Sequence, residues 1–387
     1  MLEAFPDRGG PLELLIFQVT PFCNIDCRYC YLPERGSKRV AHPAVLEDTL
    51  RFVAEGGLAR RPFTISWHAG EPLAAPKGFY QAAGDILQSY QNRLGVRITQ
   101  ALQTNATLID NDWCEHFLRH GVRVGVSLDG PAFLHDRQRV TRSGAPTHQS
   151  VLRGVKLLQR HGVPFSVIAV LTDGSLDYAD EVFSFFVECG IREVGFNIDE
   201  IDGANRHSSM TRADAADRFR AFFSRLFRLN AANAWPLRVR EIRAFQSLLA
   251  HDGGVIPTNQ QQVVPFQILA VDSQGYLSTF SPELLATQSL EFGDFRFGHV
   301  SSTSLETVYA NPRFQRAWRD IRAGVDMCRS RCRYFTVCGG GHPANKYCEH
   351  GTFRATETTH CRLRYQALSD VLLAELERHY GEGPQSL

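Results

Sequence analysis

Val19-Thr20-Pro21-Phe22-Cys23-Asn24-Ile25-Asp26-Cys27-Arg28-Tyr29-Cys30-Tyr31 places three cysteines within eight residues, directly after the apolar run Leu12–Phe17. A cubane iron–sulfur cluster has four irons and is normally held by four thiolates, so a loop with three leaves one iron open to another ligand. A zinc knuckle or three incidental thiols is the competing reading, but zinc normally has its fourth ligand close in the pattern.

Upstream and downstream of this loop the composition is that of a folded protein. The 387 residues are 43% hydrophobic and 21% charged, enough for a substantial core and two or three structural units. A net charge of +1 leaves no electrostatic footprint for nucleic acid or an anionic membrane, so a peptide or small-molecule substrate is expected. Met1–Arg8 lacks the basic-then-apolar order of a signal peptide, and no apolar run approaches the ~20 residues of a membrane span. A cytoplasmic protein is expected, in which ten cysteines read as metal ligands or free thiols rather than disulfides. Eight of the ten crowd into two short segments, which favours metal.

From Leu12 to about Asn197, short apolar β-like runs alternate with amphipathic helical stretches, the pattern of βα units around a parallel sheet. Strands are predicted at Glu13–Val19, Phe63–Trp67, Arg97–Gln103, Arg123–Ser127, Pro164–Leu171 and Glu193–Asn197. Helices are predicted near Pro43–Glu55, Lys77–Arg93, Asp110–His120, His148–His161 and Leu176–Cys189, several closed by a glycine such as Gly121, Gly162 or Gly190. Six strands are too few for a closed eight-stranded barrel.

The spacing Cys23-x3-Cys27-x2-Cys30, with Tyr29 before the last cysteine, resembles the signature of the radical S-adenosylmethionine (radical SAM) family. The resemblance implies an α/β fold with an open, partial (β/α)6 barrel and a site at the carboxyl ends of its strands. It also implies a [4Fe-4S] cluster on Cys23, Cys27 and Cys30 whose open iron binds SAM, and an electron donor such as a ferredoxin or flavodoxin. Trp67-His68-Ala69-Gly70-Glu71-Pro72 resembles the family's Gly-Gly-Glu-Pro element, with Ala69 in place of the first glycine and Glu71 expected at the SAM amino group. Alanine there is tolerable if its φ is negative. Gln103, Asn105 and Ser127, at the ends of the third and fourth strands, are the expected polar contacts of SAM, and Arg142 is the candidate for its carboxylate. The apolar fifth strand, ending at Leu171, is placed to pack the adenine, although any buried parallel strand reads this way. Asn105 and Asp129 are also common turn residues. Asp199, Glu200 and Asp202, after the sixth strand, are placed to accept a proton or fix a substrate amine, with loop capping as the alternative.

Beyond the sixth strand, Thr211 to about His251 reads as helical with a break at Trp235-Pro236, and its phenylalanine stripe reads as core. Pro265–Phe280 reads as a β-hairpin about Ser273-Gln274-Gly275. The C-terminal cysteines resemble the SPASM extension of peptide-modifying radical SAM enzymes, which carries auxiliary clusters. One of those clusters uses a cysteine five residues after the hairpin glycine, where this chain has Phe280, so that cluster is expected to be missing. Cys328, Cys332, Cys338 and Cys361 match the other and would complete one cubane, giving two [4Fe-4S] clusters in all. A structural zinc site is the rival for this segment. Asn345–Gly351 reads as a turn and Cys348 as a free thiol, while Cys114 and Cys189 read as small core residues. The units expected are a barrel over 10–235, a bridging helix and hairpin over 236–310, and a SPASM-like region with a C-terminal helix over 311–387.

Tyr334–Lys346 and Thr356–Leu363 resemble the branch that includes the Gly-rich-repeat peptide maturases, which form three-residue cyclophanes on ribosomally made peptides. The resemblance implies a precursor peptide as substrate and a carbon–carbon bond between an aromatic ring and the β-carbon of a nearby residue. Glu200 or Asp199 would then be the base. Thioether formation or oxidation of a sulfatase residue to formylglycine is the second enzymatic reading, and a metal-stapled peptide-binding scaffold the third. With about a dozen residues before the first strand, leader recognition is expected to use the barrel, the SPASM-like region or a separate protein.

Overall fold

Six strands joined by helices build the first half of the chain. In a computed structural model that describes residues 9–249 and 260–381, they are β1 (Leu14–Phe17), α1 (Pro43–Glu55), β2 (Phe63–Trp67), α2 (Lys77–Leu94), β3 (Ile98–Thr104), α3 (Asn111–His120), β4 (Arg123–Ser127), α4 (Ala132–Gln138), α5 (His148–Arg160), β5 (Phe165–Leu171), α6 (Ala179–Glu188) and β6 (Glu193–Ile198). All six strands are parallel and pair in chain order, as in an open (β/α)6 barrel. The helices start and stop where local chemistry says they should. Asp110 caps α3 by accepting from Trp113 N–H at 2.8 Å, and Gly121 ends it at φ 60°.

α4 is the element of this half that the alternating pattern does not announce. It follows Gly130-Pro131 and stops at Arg139, whose side chain it delivers under the cysteine loop. The core behind the sheet is aromatic. Phe17, Trp67, Tyr80 and Trp113 meet edge to face with centroids 5.2–5.7 Å apart.

The phenylalanine stripe lies on α7 (Ala215–Ala232) and is core, with Phe222 and Phe223 against Phe196 of β6 at 5.7 and 5.8 Å. Then come β7 (Arg238–Val239) and α8 (Arg240–Leu249). The hairpin is β8 (Ile268–Val271) and β9 (Tyr276–Thr279) about Gly275. With β10 (Gly298–His299) it does not stand apart: β8 pairs in parallel with β1, and one ten-stranded sheet runs β10-β9-β8-β1-β2-β3-β4-β5-β6-β7.

The C-terminal part is helical, with α9 (Leu305–Ala310), α10 (Pro312–Arg331), α11 (Phe335–Cys338), α12 (Pro343–His350), a π-helical turn over Cys361–Ala367 and α13 (Leu368–Gly381). Asn345–His350, read from sequence as a turn, belongs to α12. Pro343 opens this helix and Gly351, at φ 71°, closes it, so two residues usually found in turns are here its punctuation. α13 is fastened to α7 by Glu375, which accepts from Arg228 at 2.9 Å and Ser224 at 2.6 Å. Among the described residues no helix is long and apolar enough to cross a membrane.

Candidate active site and cysteine centres

The cysteine loop leaves β1 at the carboxyl end of the sheet, and its backbone is tied down at almost every step. Cys23 N–H donates to Arg35 O at 3.0 Å, Asp26 N–H to Val140 O at 2.7 Å and Arg28 N–H to Gln138 O at 2.9 Å. Arg142, expected at the SAM carboxylate, spends its guanidinium on Cys23 O and Arg35 O at 3.2 and 3.1 Å. Gly70 closes the loop from below. A Cβ there would lie 2.1 Å from Thr20 O, and its φ of 88° is one that favours glycine. Its neighbour Ala69 is at φ 72°, not the negative value under which alanine would be unstrained.

Beneath Cys27 lies a buried polar network. Asp129 accepts from Arg139 Nε and Nη2 at 3.0 and 3.1 Å, from the Tyr29 hydroxyl, and from Val170 N–H at 2.9 Å. Arg139 Nη1 lies 3.9 Å from Cys27 Sγ, and its guanidinium is 5.4 Å from the centre of the Tyr29 ring. Burial pushes the Cys23 thiol up to about 12, with Glu71 adding to it, and the Cys27 thiol to about 11 against the pull of Arg139. The neighbouring thiols add to both shifts, Cys27 and Cys30 to that of Cys23 and Cys30 to that of Cys27. Soft sulfur donors on one rigid loop, with a buried cation beside them, fit a cubane.

The strand-end residues come together as the sequence places them, though not all point at open space. Glu71 is buried, and its carboxylate accepts from Thr104 Oγ1 at 2.7 Å, Asn105 N–H at 2.8 Å and Leu73 N–H at 3.0 Å. Burial raises its carboxyl to about 7 against those three donors. Asn105 Nδ2 donates to Asn24 Oδ1 at 2.9 Å and lies 3.8 Å from Cys23 Sγ. Gln103 donates to Ser127 Oγ at 2.9 Å, crossing Gly125, where a Cβ would sit 2.1 Å from Gln103 Oε1. Leu171 ends β5, its carbonyl accepting from Asp199 N–H at 2.8 Å. A cleft of about 250 Å³ opens instead beside β1 and β8, lined by Gln18, Tyr31, Ala69, Asp272, Pro282 and Arg296 among others.

The acidic loop after β6 is where the two halves meet. Asp199 is occupied inside the loop, accepting from Ser209 N–H and Oγ at 2.8 Å each and from Asn205 Nδ2 at 3.0 Å. Glu200 crosses to the C-terminal region, where His360 Nδ1 stands 2.9 Å from one carboxylate oxygen and Asn345 Nδ2 donates to the other at 2.5 Å. Burial alone would raise the Glu200 carboxyl, but His360, His342 and Asn345 outweigh it and hold it down at about 2. The same burial lifts Glu283 to about 7, helped by the charge of Glu200. Cys348 faces Asp202 and Gly203 rather than the other cysteines.

Cys328, Cys332, Cys338 and Cys361 line one cavity of about 260 Å³, together with Tyr334, Gly341, Thr356 and Gln366. Gln366 Nε2 reaches Cys361 Sγ at 3.6 Å and Lys346 Nζ reaches Cys328 Sγ at 3.4 Å. Among the described residues no group of three or more His, Cys, Asp or Glu side chains is arranged to hold a single metal ion; a cubane is a larger body, and four thiols around one cavity fit it. Phe280 is fully buried, stacked on Phe314 at 5.9 Å, so aromatic packing fills the place of the absent first-cluster cysteine. Arg139, His360 and Lys346 escape sequence reasoning, because the sulfur or carboxylate each reaches lies 18 to 160 positions away, Cys27, Glu200 and Cys328 respectively.

Residues 17–186 match the family model described as Radical SAM superfamily. The matched stretch holds the cysteine loop and strands β2 to β5. An uncharacterized protein of Synechocystis sp. is 40% identical over 375 residues, 96% of this chain and 94% of that protein. A serine-type anaerobic sulfatase-maturating enzyme of Klebsiella aerogenes is 33% identical over 247 residues, covering 60% of this chain and 61% of that protein. Among solved structures, anSMEcpe with bound AdoMet and Cp18Cys peptide superposes with a TM-score of 0.76 over 96% of this chain and 99% of that one, at 19% identity. Streptococcus suis SuiB bound to precursor peptide SuiA gives 0.61 over 89% and 74%, at 16% identity. The fold is thus the radical SAM α/β fold with a C-terminal domain.

Proposed function

We propose that this radical SAM enzyme crosslinks a ribosomally made precursor peptide, joining an aromatic ring to the β-carbon of a nearby residue. The observation that supports the reading is the bridge from the acidic loop to His360, one residue before Cys361: a proton acceptor at the strand ends would then adjoin the wall of the four-thiol cavity. Ring crosslinking needs both, because after the bond forms the ring must lose one electron and one proton.

Cys23, Cys27 and Cys30 would hold the SAM-binding cluster, and Cys328, Cys332, Cys338 and Cys361 an auxiliary one. When bound, the first cluster and SAM supply a 5′-deoxyadenosyl radical that takes hydrogen from the β-carbon. Gln103, Asn105 and Ser127 would hold the cofactor, Arg142 and Gly70 keep the cysteine loop in place, and Glu71 braces the turn after β3. Glu200, ionised and fixed by Asn345, orients His360 through Nδ1, and this pair takes the ring proton. Asp199 keeps the loop in register. An external one-electron donor of the ferredoxin or flavodoxin class supplies the first reduction.

A second reading, oxidation of a sulfatase serine or cysteine to formylglycine, draws support from the names of the Klebsiella aerogenes and Bacteroides thetaiotaomicron relatives. Phe280 speaks against it, since sulfatase maturases resemble the form with two auxiliary clusters. Anaerobic reaction with SAM, a reductant and the peptide encoded beside the gene tests both. Crosslinking gives a peptide that has lost two hydrogens and does not react with hydrazide. A hydrazide-reactive aldehyde would replace the first reading by the second, and absence of 5′-deoxyadenosine would remove both.

A further inference from the structure

Lys346 is 3% exposed, and its ammonium donates to Gly324 O at 3.1 Å and Cys328 Sγ at 3.4 Å. Neither partner is a carboxylate. The acids on the two helices that enclose it are engaged elsewhere: Asp320 of α10 with Arg354 at 2.8 Å, Asp326 with Arg329 at 2.5 Å, and Glu349 of α12 with Thr359 N–H at 2.8 Å. Room for the ammonium is kept by Gly324, where a Cβ would lie 2.1 Å from Phe353 O and 3.3 Å from Lys346 Nζ. A buried cation without a counter-ion is strongly disfavoured, so a fold that encloses one needs a negative body beside it. Four thiolates around a cubane are such a body, and the cavity they line begins at the sulfur that Lys346 touches.

We propose that Lys346 is the internal counter-ion of the auxiliary cluster and holds its reduction potential up, toward accepting an electron. The proposal rests on the auxiliary cluster of the function proposed above. One-electron reduction adds one negative charge to the cluster and its thiolates and takes up no proton. A fixed positive charge in contact with one ligand therefore favours the reduced form. The electron is the one released as the crosslinked ring regains aromaticity, and its proton goes to Glu200 and His360. Of the two side chains donating to these sulfurs, Gln366 is neutral, which singles out Lys346 as the charged one.

The test uses the full chain with Cys23, Cys27 and Cys30 changed to alanine, so that one cluster remains to be titrated anaerobically and followed by electron paramagnetic resonance. Into it go Lys346→Met, Lys346→Arg and, for loss of a neutral donor, Gln366→Met. Lys346→Met is expected to shift the oxidised-to-reduced ratio at fixed potential by about tenfold toward oxidised, about 59 mV lower for a one-electron couple. Gln366→Met should shift it less and Lys346→Arg least. A Lys346→Met shift no larger than that of Gln366→Met, with about four irons retained, would overturn the proposal. If Lys346→Met loses its iron, retention by Lys346→Arg supports the counter-ion, and loss in both overturns it. A parent that binds no iron at the auxiliary cysteines would sink the auxiliary-cluster reading itself, and this inference with it.

Discussion

Removing the charge of Asp129 is the most direct way to test the network under the cysteine loop. Its two oxygens serve four donors, and each oxygen serves one arginine nitrogen: Arg139 Nη2 and Val170 N–H on one, Arg139 Nε and the Tyr29 hydroxyl on the other. Asparagine would turn an NH2 group toward one of those pairs in either orientation, leaving at least one guanidinium donor facing a donor. Hydrogen bonds to charged groups contribute about 1.5–3 kcal/mol each, and breaking a buried ion pair costs about 3–5 kcal/mol. Asp129→Asn is therefore expected to destabilise the fold by about 3–5 kcal/mol, and Arg139→Met by a similar amount. The double replacement Asp129→Leu/Arg139→Met leaves no lone charge, so it should lose less than the two single changes combined. Urea unfolding followed by far-ultraviolet circular dichroism, with iron content measured alongside, provides the comparison. A single-variant loss below about 1 kcal/mol, or losses that simply add, would refute the idea that these residues act as one buried pair.

Three further outcomes follow from described geometry. Ala69→Gly relieves a left-handed backbone worth about 1–2 kcal/mol and gives back about 0.4–1 kcal/mol through the freer unfolded chain; a small net gain in urea midpoint is expected, and a loss would contradict it. His135 is fully buried, and burial lowers it to about 4, against an ordinary value of 6.5, so the unfolded chain binds the extra proton between those values. Relative to His135→Gln, the wild type should then lose up to about 1.4 kcal/mol of stability per pH unit as pH falls from 6.5 toward 4; parallel stability curves would rule this out. Cys361→Ser should lower the iron of the reconstituted chain from about eight atoms to about four, and an unchanged iron content would remove Cys361 from the ligand set.

Periodicity made the barrel legible almost residue by residue, because buried parallel strands are short apolar runs and their helices carry caps that can be read locally. β2, β4 and α1 fall at the predicted bounds. The Gln103–Ser127 and Glu71–Asn105 contacts follow from motifs set at consecutive strand ends. Arg139 was not legible: it follows a seven-residue helix with no apolar period of its own, and its value lies in Asp129, ten residues earlier, and Cys27, 112 residues away. The same holds for His360, paired with Glu200 across 160 residues, and for α12, whose proline and glycine look like a turn until its place against α10 is known. Local pattern fixes elements, whereas charge partners are decided by which loops the sheet order brings together.

That sheet order bears on how freely the radical-generating half could be moved between proteins. The strand that launches the cysteine loop, β1, is enclosed by β2 on one side and β8 on the other, and the sheet ends at both margins in two-residue strands. Such brief margins offer little to a passing chain in search of a strand partner. A fragment cut after the sixth strand would bare the whole flank of β1, beside the most oxygen-sensitive chemistry in the molecule. Anyone grafting this barrel onto a new recognition module would need to carry the hairpin along, and the four-thiol region with it, as a single inheritable block.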